Sequence, residues 1–186
     1  MRKTITRPLA TVVVALAVTA GLLVPQTSAA AAVRTTIPPA PPTTFTYINH
    51  DDWAKAVFTQ LNAERATNGL KPLRWSDRLH YSAHRHDLQM GEANTLSHQL
   101  PGEASLGDRV TLWYAWSSCG ENIAWNSQRS QAGVLALETS MYSEAPPDDG
   151  HRRNILSTSF VDVGVDVVDD STHGRVWLTT DFGKPR

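Results

Sequence analysis

Apolar positions along this chain follow a helical period through the first part of the folded region and alternate strictly near its end. Trp53, Val57, Phe58 and Leu61 share one helical face, so a first helix is expected, capped by Asp51 and Asp52 and ended by "TNGL" at 67–70. Gly69 stands at the usual place for a helix C-terminus. Ser76 opens a second helix with Asp77 in its first turn, and its stripe is Leu79, Ala83, His86 and Met90. A third helix is read from about Gln131 to Glu144, with Val134, Leu137, Met141 and Glu144 in line and Pro146 and Pro147 stopping it. "GENIAW" at 120–125 reads as a strand with Glu121, Ile123 and Trp125 on one face, preceded by a short helix within "GDRVTLWYAW". Val161, Val163, Val165 and Val167 then alternate with Asp162, Gly164 and Asp166. After "DDSTHG", Val176, Leu178, Thr180 and Phe182 share a face. That pair predicts an antiparallel hairpin with one covered side. Helices first and strands last make the class α+β, with helices packed on a mostly antiparallel sheet.

Some residues break this pattern. An acid that shares a face with Ile123 and Trp125 needs a partner or a shifted pKa, and Glu121 is such an acid. Glu144 ends an apolar stripe at a helix C-terminus, where partial negative charge disfavours it. His86 lies on a buried stripe and reads as a hydrogen-bonded core histidine. His98 stands in the loop 92–107, and His151 in the turn of "DDGHRRNIL". His80 and His84, four apart, are spaced like a zinc-protease pair. Tyr81 occupies the slot where that motif needs glutamate, so the pair reads as an exposed helix face. Two imidazoles and two carboxylates (His98, Glu121, Glu144, His151) are the donor types of a divalent metal site. Spacing does not bring them together, and separate structural pairs stay open as an explanation.

Composition changes the picture at the N-terminus. Arg2, Lys3 and Arg7 precede an apolar run from about Leu9 to Val24 and the small residues of "QTSAAAA", the plan of a secretory signal peptide over residues 1–32. The run is shorter than the ~20 residues a spanning helix needs. The mature chain is therefore expected to start between Ala30 and Val33, outside the cytoplasm. Residues 33–46 form a Pro/Thr-rich linker, and 47–186 the folded domain. Without the three leader cations, the 17 basic residues become 14 against 18 acidic, a net charge of −4, which disfavours nucleic acid as a partner. Cys119 is the single cysteine, so no internal disulfide supports the core.

The run "LNAERATNGLKPLRWSDRLHYSAHRHDLQM", then "LSH", "CGENIAW", "GHRRNIL" and the closing "VGVDVV" and "VWLTTDFG" resemble the CAP superfamily: cysteine-rich secretory proteins, antigen 5 and pathogenesis-related 1 proteins. The chain is similar to its short bacterial single-domain type over roughly residues 55–183. The resemblance implies an α-β-α sandwich with a cleft lined by two histidines and two glutamates, holding zinc or another divalent cation in some members. "LSH", "GEN", "YSE" and "GH" carry those roles onto His98, Glu121, Glu144 and His151, with His98 and His151 as metal ligands and His86 in support. It implies a secreted or envelope-associated protein that binds a small molecule such as a lipid, sterol or envelope component. A zinc-dependent extracellular hydrolase using the same four residues is the alternative. The disulfides and cysteine-rich extension of eukaryotic relatives are absent from this chain.

Overall fold

The computed structural model describes residues 42–186 and, ahead of them, one two-residue strand, β1 (Val13–Val14). The leader and the linker up to residue 41 otherwise lie outside the described residues. The elements that follow are β2 (Tyr47–Asn49), α1 (Asp51–Thr67), β3 (Arg74–Trp75), α2 (Asp77–Ala93), α3 (Leu106–Thr111) and β4 (Trp116–Asn126). Then come α4 (Gln131–Tyr142), α5 (Gly150–Ile155), β5 (Asp162–Asp170) and β6 (Arg175–Pro185). No helix among the described residues is long and apolar enough to cross a membrane.

Local chemistry sets the helix ends. Ser76 Oγ accepts from the Leu79 amide at the start of α2, and Ser130 Oγ from the Gly133 amide at the start of α4. α1 departs from the expected cap. His50 holds the N-cap position, stacked on Trp53 at 3.6 Å, and Asp51 and Asp52 fall inside the first turn, where the helix dipole favours them. Gly69 (φ +70°) follows the end of α1, as expected for a residue leaving the helix left-handed. α4 stops at Tyr142, so Glu144 lies beyond the helix and not on its stripe.

The sheet runs β1-β4-β6-β5-β2, with β3 beside β5. Every pairing is antiparallel except the short β3–β5 contact, Arg74 opposite Asp162. β6 sits between the two long strands, β4 and β5.

Helices cover both faces, giving an α-β-α sandwich. Under α1, α4 and α5 lie Val163, Val165, Val167, Val176, Leu178 and Phe182, packed on Val57, Leu61, Val134, Leu137, Met141 and Ile155. Burying each such side chain contributes about 1.5–3 kcal/mol. Under α2, Leu88 and Met90 meet Ile123, Val168 and Trp177. The hairpin thus has two covered sides, which corrects the one-sided reading: Asp162 and Asp166 are buried rather than solvated. Gly164 makes this possible. A Cβ there would lie 1.9 Å from the His80 backbone nitrogen, so only glycine lets α2 lie this close to β5. His80 and His84 accordingly do not form an exposed face. Their Nδ1 atoms lie 2.7 Å from the Val165 carbonyl and 3.1 Å from Asp166 Oδ2.

Contacts with the domain already begin inside the segment read as linker. Thr44 bonds Glu92 through its amide and hydroxyl, and buried Phe45 packs where a Gly91 side chain would stand.

Candidate functional site

β4 carries Glu121 inward under α2, almost fully buried. Its carboxylate is satisfied at both oxygens. Oε1 accepts from His98 Nδ1 at 2.8 Å, and Oε2 from Arg109 Nη2 at 2.9 Å, with His86 Nε2 3.8 Å from Oε2. Burial alone would raise this acid, but the charge of His86, the His98 bond and Arg109 outweigh it and hold Glu121 at about 2. An ionised carboxylate only accepts, so His98 Nδ1 carries the proton of that bond.

A second pair forms after α4. The loop past Tyr142, which includes a cis Pro146–Pro147 bond, brings Glu144 back to the start of α5. Glu144 Oε1 accepts from His151 Nδ1 at 2.6 Å, and Oε2 accepts from the backbone amides of His151 (3.0 Å) and Arg152 (3.4 Å). These are first-turn amides of a helix, which otherwise lack partners. The opposite nitrogen, His151 Nε2, is buried and has no hydrogen-bond partner.

Two asparagines link the pairs. Asn122, next to Glu121, donates to the His151 carbonyl at 3.2 Å, and Asn154 donates to the Glu121 carbonyl at 3.2 Å and to Asn122 Oδ1 at 2.8 Å. The stretch "GEN" of β4 therefore fastens α5 with its third residue and holds His98 with its second.

The four sequence-predicted residues thus form two His–Glu dyads hung on neighbouring residues of β4. Among the described residues, no group of three or more His, Cys, Asp or Glu side chains is arranged to hold a metal ion. Each glutamate gives one oxygen to its own histidine and the other to further donors, Arg109 Nη2 at Glu121 and the first α5 amides at Glu144. The residues fit a cation held by imidazole nitrogen, with the glutamates orienting the rings as carboxylates commonly do behind metal-bound histidine. They do not fit a four-ligand centre.

His86, expected as a buried hydrogen-bonded histidine, is that: fully buried, with Nδ1 2.7 Å from Glu103 Oε1. Other participants escape a reading of the sequence. Arg109 and Glu103 sit in a six-residue helix and a loop with no period to mark them as buried. Asp181 stands across the strands from Glu121, and burial with the Glu121 charge pushes its carboxyl well up. Asp87 is raised in the same way by burial and Asp166. Alternation puts Asp181 on the face of β6 opposite the Val176–Phe182 row, which reads as the solvent side.

A sandwich of this topology with paired His–Glu groups defines the class to which comparison leads. The chain belongs to the cysteine-rich secretory protein family, matching it over residues 58–182. It is 32% identical over 133 residues to a Bacillus subtilis (strain 168) protein named uncharacterized protein YkwD, covering 71% of this chain and 48% of that one. The chain therefore spans about half the length of that curated relative. An outer surface protein of Borrelia burgdorferi shares the fold (TM-score 0.65, 17% identity, covering 77% of this chain and 100% of the other). So does an extracellular SCP-domain protein of Bacillus anthracis (TM-score 0.61, 25% identity, covering 72% of this chain and 41% of the other).

Proposed function

We propose that this is a secreted binding domain whose two dyads face a common cleft and take a divalent cation, zinc among them, together with a small ligand such as a lipid, sterol or other envelope component. His151 and His98 are the binding groups, and Glu144 and Glu121 orient them. One observation carries the reading. His151 Nδ1 is fixed by Glu144 while Nε2 is buried without a partner, a polar atom that costs free energy unless something meets it. Secretion is supported by the signal-like N-terminus and by the extracellular SCP-domain protein of Bacillus anthracis.

The hydrolase alternative asks Glu121 or Glu144 to take a proton from water. Glu121, held at about 2, is a poor base near neutrality, and Glu144 already accepts three hydrogen bonds, from the His151 ring and two amides. Binding is the function these groups support. The test is a zinc titration of EDTA-treated protein followed by imidazole 1H–15N NMR. The His151 and His98 ring signals should move together, and His151→Ala should abolish binding with the fold retained. Unmoved ring signals, or unchanged affinity in His151→Ala, would overturn the proposal.

A further inference from the structure

We infer that Arg109 is the resident cation of the His98 dyad: its guanidinium serves two buried carboxylates at once and ties the His98 backbone to them, so that His98 is aimed without a metal ion. The inference rests on His98 being a binding group.

The geometry is specific. Arg109 lies on α3 with only 7% of its surface exposed. Its Nη2 donates both to the His98 carbonyl at 2.9 Å and to Glu121 Oε2 at 2.9 Å. Its Nε lies 3.3 Å from Glu103 Oε1. Glu103 in turn faces His86 Nδ1 at 2.7 Å and accepts from the Leu100 amide at 2.8 Å. The loop that carries His98 is therefore clamped at the carbonyl of 98, the amide of 100 and the side chain of 103. All three clamps lead to one guanidinium.

Charge explains why a cation is needed here. The side chains of Glu103 and Glu121, both almost fully buried, approach the same point, and leaving them unneutralised would be strongly unfavourable. Burial would raise Glu103 too, yet His86 and Arg109 hold it below its ordinary value. In a metal centre the ion supplies this positive charge. Here the protein supplies it, and a second cation at Glu121 would face the guanidinium. The other dyad is built differently: Glu144 accepts hydrogen bonds from first-turn amides of α5 and from His151, with the Arg152 side chain turned to the Tyr142 carbonyl. Arg109 is thus a positioning residue for one half of the site only.

That asymmetry gives the test. Long-range 1H–15N NMR on full-length protein in EDTA reports the tautomer of each imidazole. In the wild type, His98 and His151 should each show a single Nδ1–H form. Arg109→Gln removes the charge, so His98 should lose its single-tautomer signature while His151 keeps its own, and Arg109→Lys should restore the His98 signal. The inference fails if His98 is unchanged in Arg109→Gln. It also fails if both histidines change together, which would mark Arg109 as a general support of the fold. Where Arg109→Gln does not fold, Arg109→Lys decides: a wild-type His98 signal supports the inference and an altered one overturns it. Because EDTA is present throughout, failure of the cation-binding proposal leaves this readout untouched.

Discussion

The two faces of the sheet are held by different physics. Under α1, α4 and α5 the strands present valine, leucine and phenylalanine, and the attraction is non-directional burial. Under α2 and α3 the same strands present Glu121, Asp162, Asp166 and Asp181 beside apolar residues such as Ile123 and Trp177. Acids of this face meet His86, His84, Arg109, Arg74 and Tyr114. A greasy face tolerates small adjustments of side-chain position. A face of buried acids does not, because each ionised group there depends on a partner within reach, and Asp181, with neither oxygen hydrogen-bonded, is pushed toward its neutral form instead. The dyad that needs the most exact placement, His98–Glu121, belongs to the charged face.

The largest expected effect separates the faces by charge. Glu121→Gln removes one of the two buried carboxylates that Arg109 serves, leaving Glu103, and should cost about 3–5 kcal/mol, as breaking buried ion pairs does. Leu178→Ala on the apolar face should cost ~2–5 kcal/mol, a similar size from a different cause. Acid titration tells them apart. Glu121 has its pKa depressed by folding, so its stabilisation is present above its unfolded value of about 4.3 and lost as pH falls through the folded value. Acidification should therefore lower the urea midpoints of wild type and Leu178→Ala relative to that of Glu121→Gln. Parallel acid slopes in all three would break the comparison.

One acid blurs it. Glu138 on α4 lies fully buried in the apolar layer, with neither oxygen accepting a hydrogen bond, beside Glu64 of α1. Burial and the Glu64 charge push its carboxyl well up, and burial raises Glu64 as well. The sign is opposite to that of Glu121. A raised folded pKa gives stabilisation that is complete below about 4.3 and lost as pH rises through the folded value. Glu138→Gln should gain roughly 1–3 kcal/mol near pH 8, because an amide has no charge to bury and no proton to take up on folding. Urea unfolding of both proteins between about pH 4 and pH 9 checks it. Superimposable curves would show that Glu138 is not under this strain.

How much of this is legible in the sequence follows from the range of each interaction. The α2 stripe through Leu79, Ala83, His86 and Met90 depends only on neighbours three and four apart, and all four are buried. The β5 and β6 alternations place Val163, Val165, Val167, Leu178 and Phe182 correctly for the same reason. The misreading of Asp162, Asp166, His80 and His84 has one source. Alternation says which residues share a face but not whether the opposite face is covered, and Gly164, which allows α2 to cover it, looks like any strand glycine. Glu138 is within reach of the pattern, since it stands four residues after Val134 and three before Met141, on the stripe itself. Arg109, Glu103 and Asp181 are not, because their burial comes from residues distant in the chain.

The smallest effect belongs to Cys119. It is half-buried near one end of the sheet, packed against the small cluster of Leu79, Val110 and Tyr114, and burial with Asp181 and Glu121 pushes its thiol to about 12. Cys119→Ala should cost no more than ~1–2 kcal/mol. The folded protein should react slowly with thiol reagents at mildly alkaline pH and rapidly once unfolded. Fast labelling of native protein would show that the charged face is open there.

The position of β6 has a consequence in time. It lies later in the chain than every other described element, yet it stands in the middle of the sheet, joined along its length to β4 on one side and β5 on the other. A ribosome delivers residues in order, so β4 waits unpaired on that side while everything from Asn126 to Arg175 is made. Until Arg175–Pro185 emerges, β4 and β5 are not joined, and α1 and α2 have only the β5 side of the sheet to pack on. Assembly is therefore a single late event built on long-range pairing, of the kind that proceeds slowly. The full sandwich closes only when its central strand arrives.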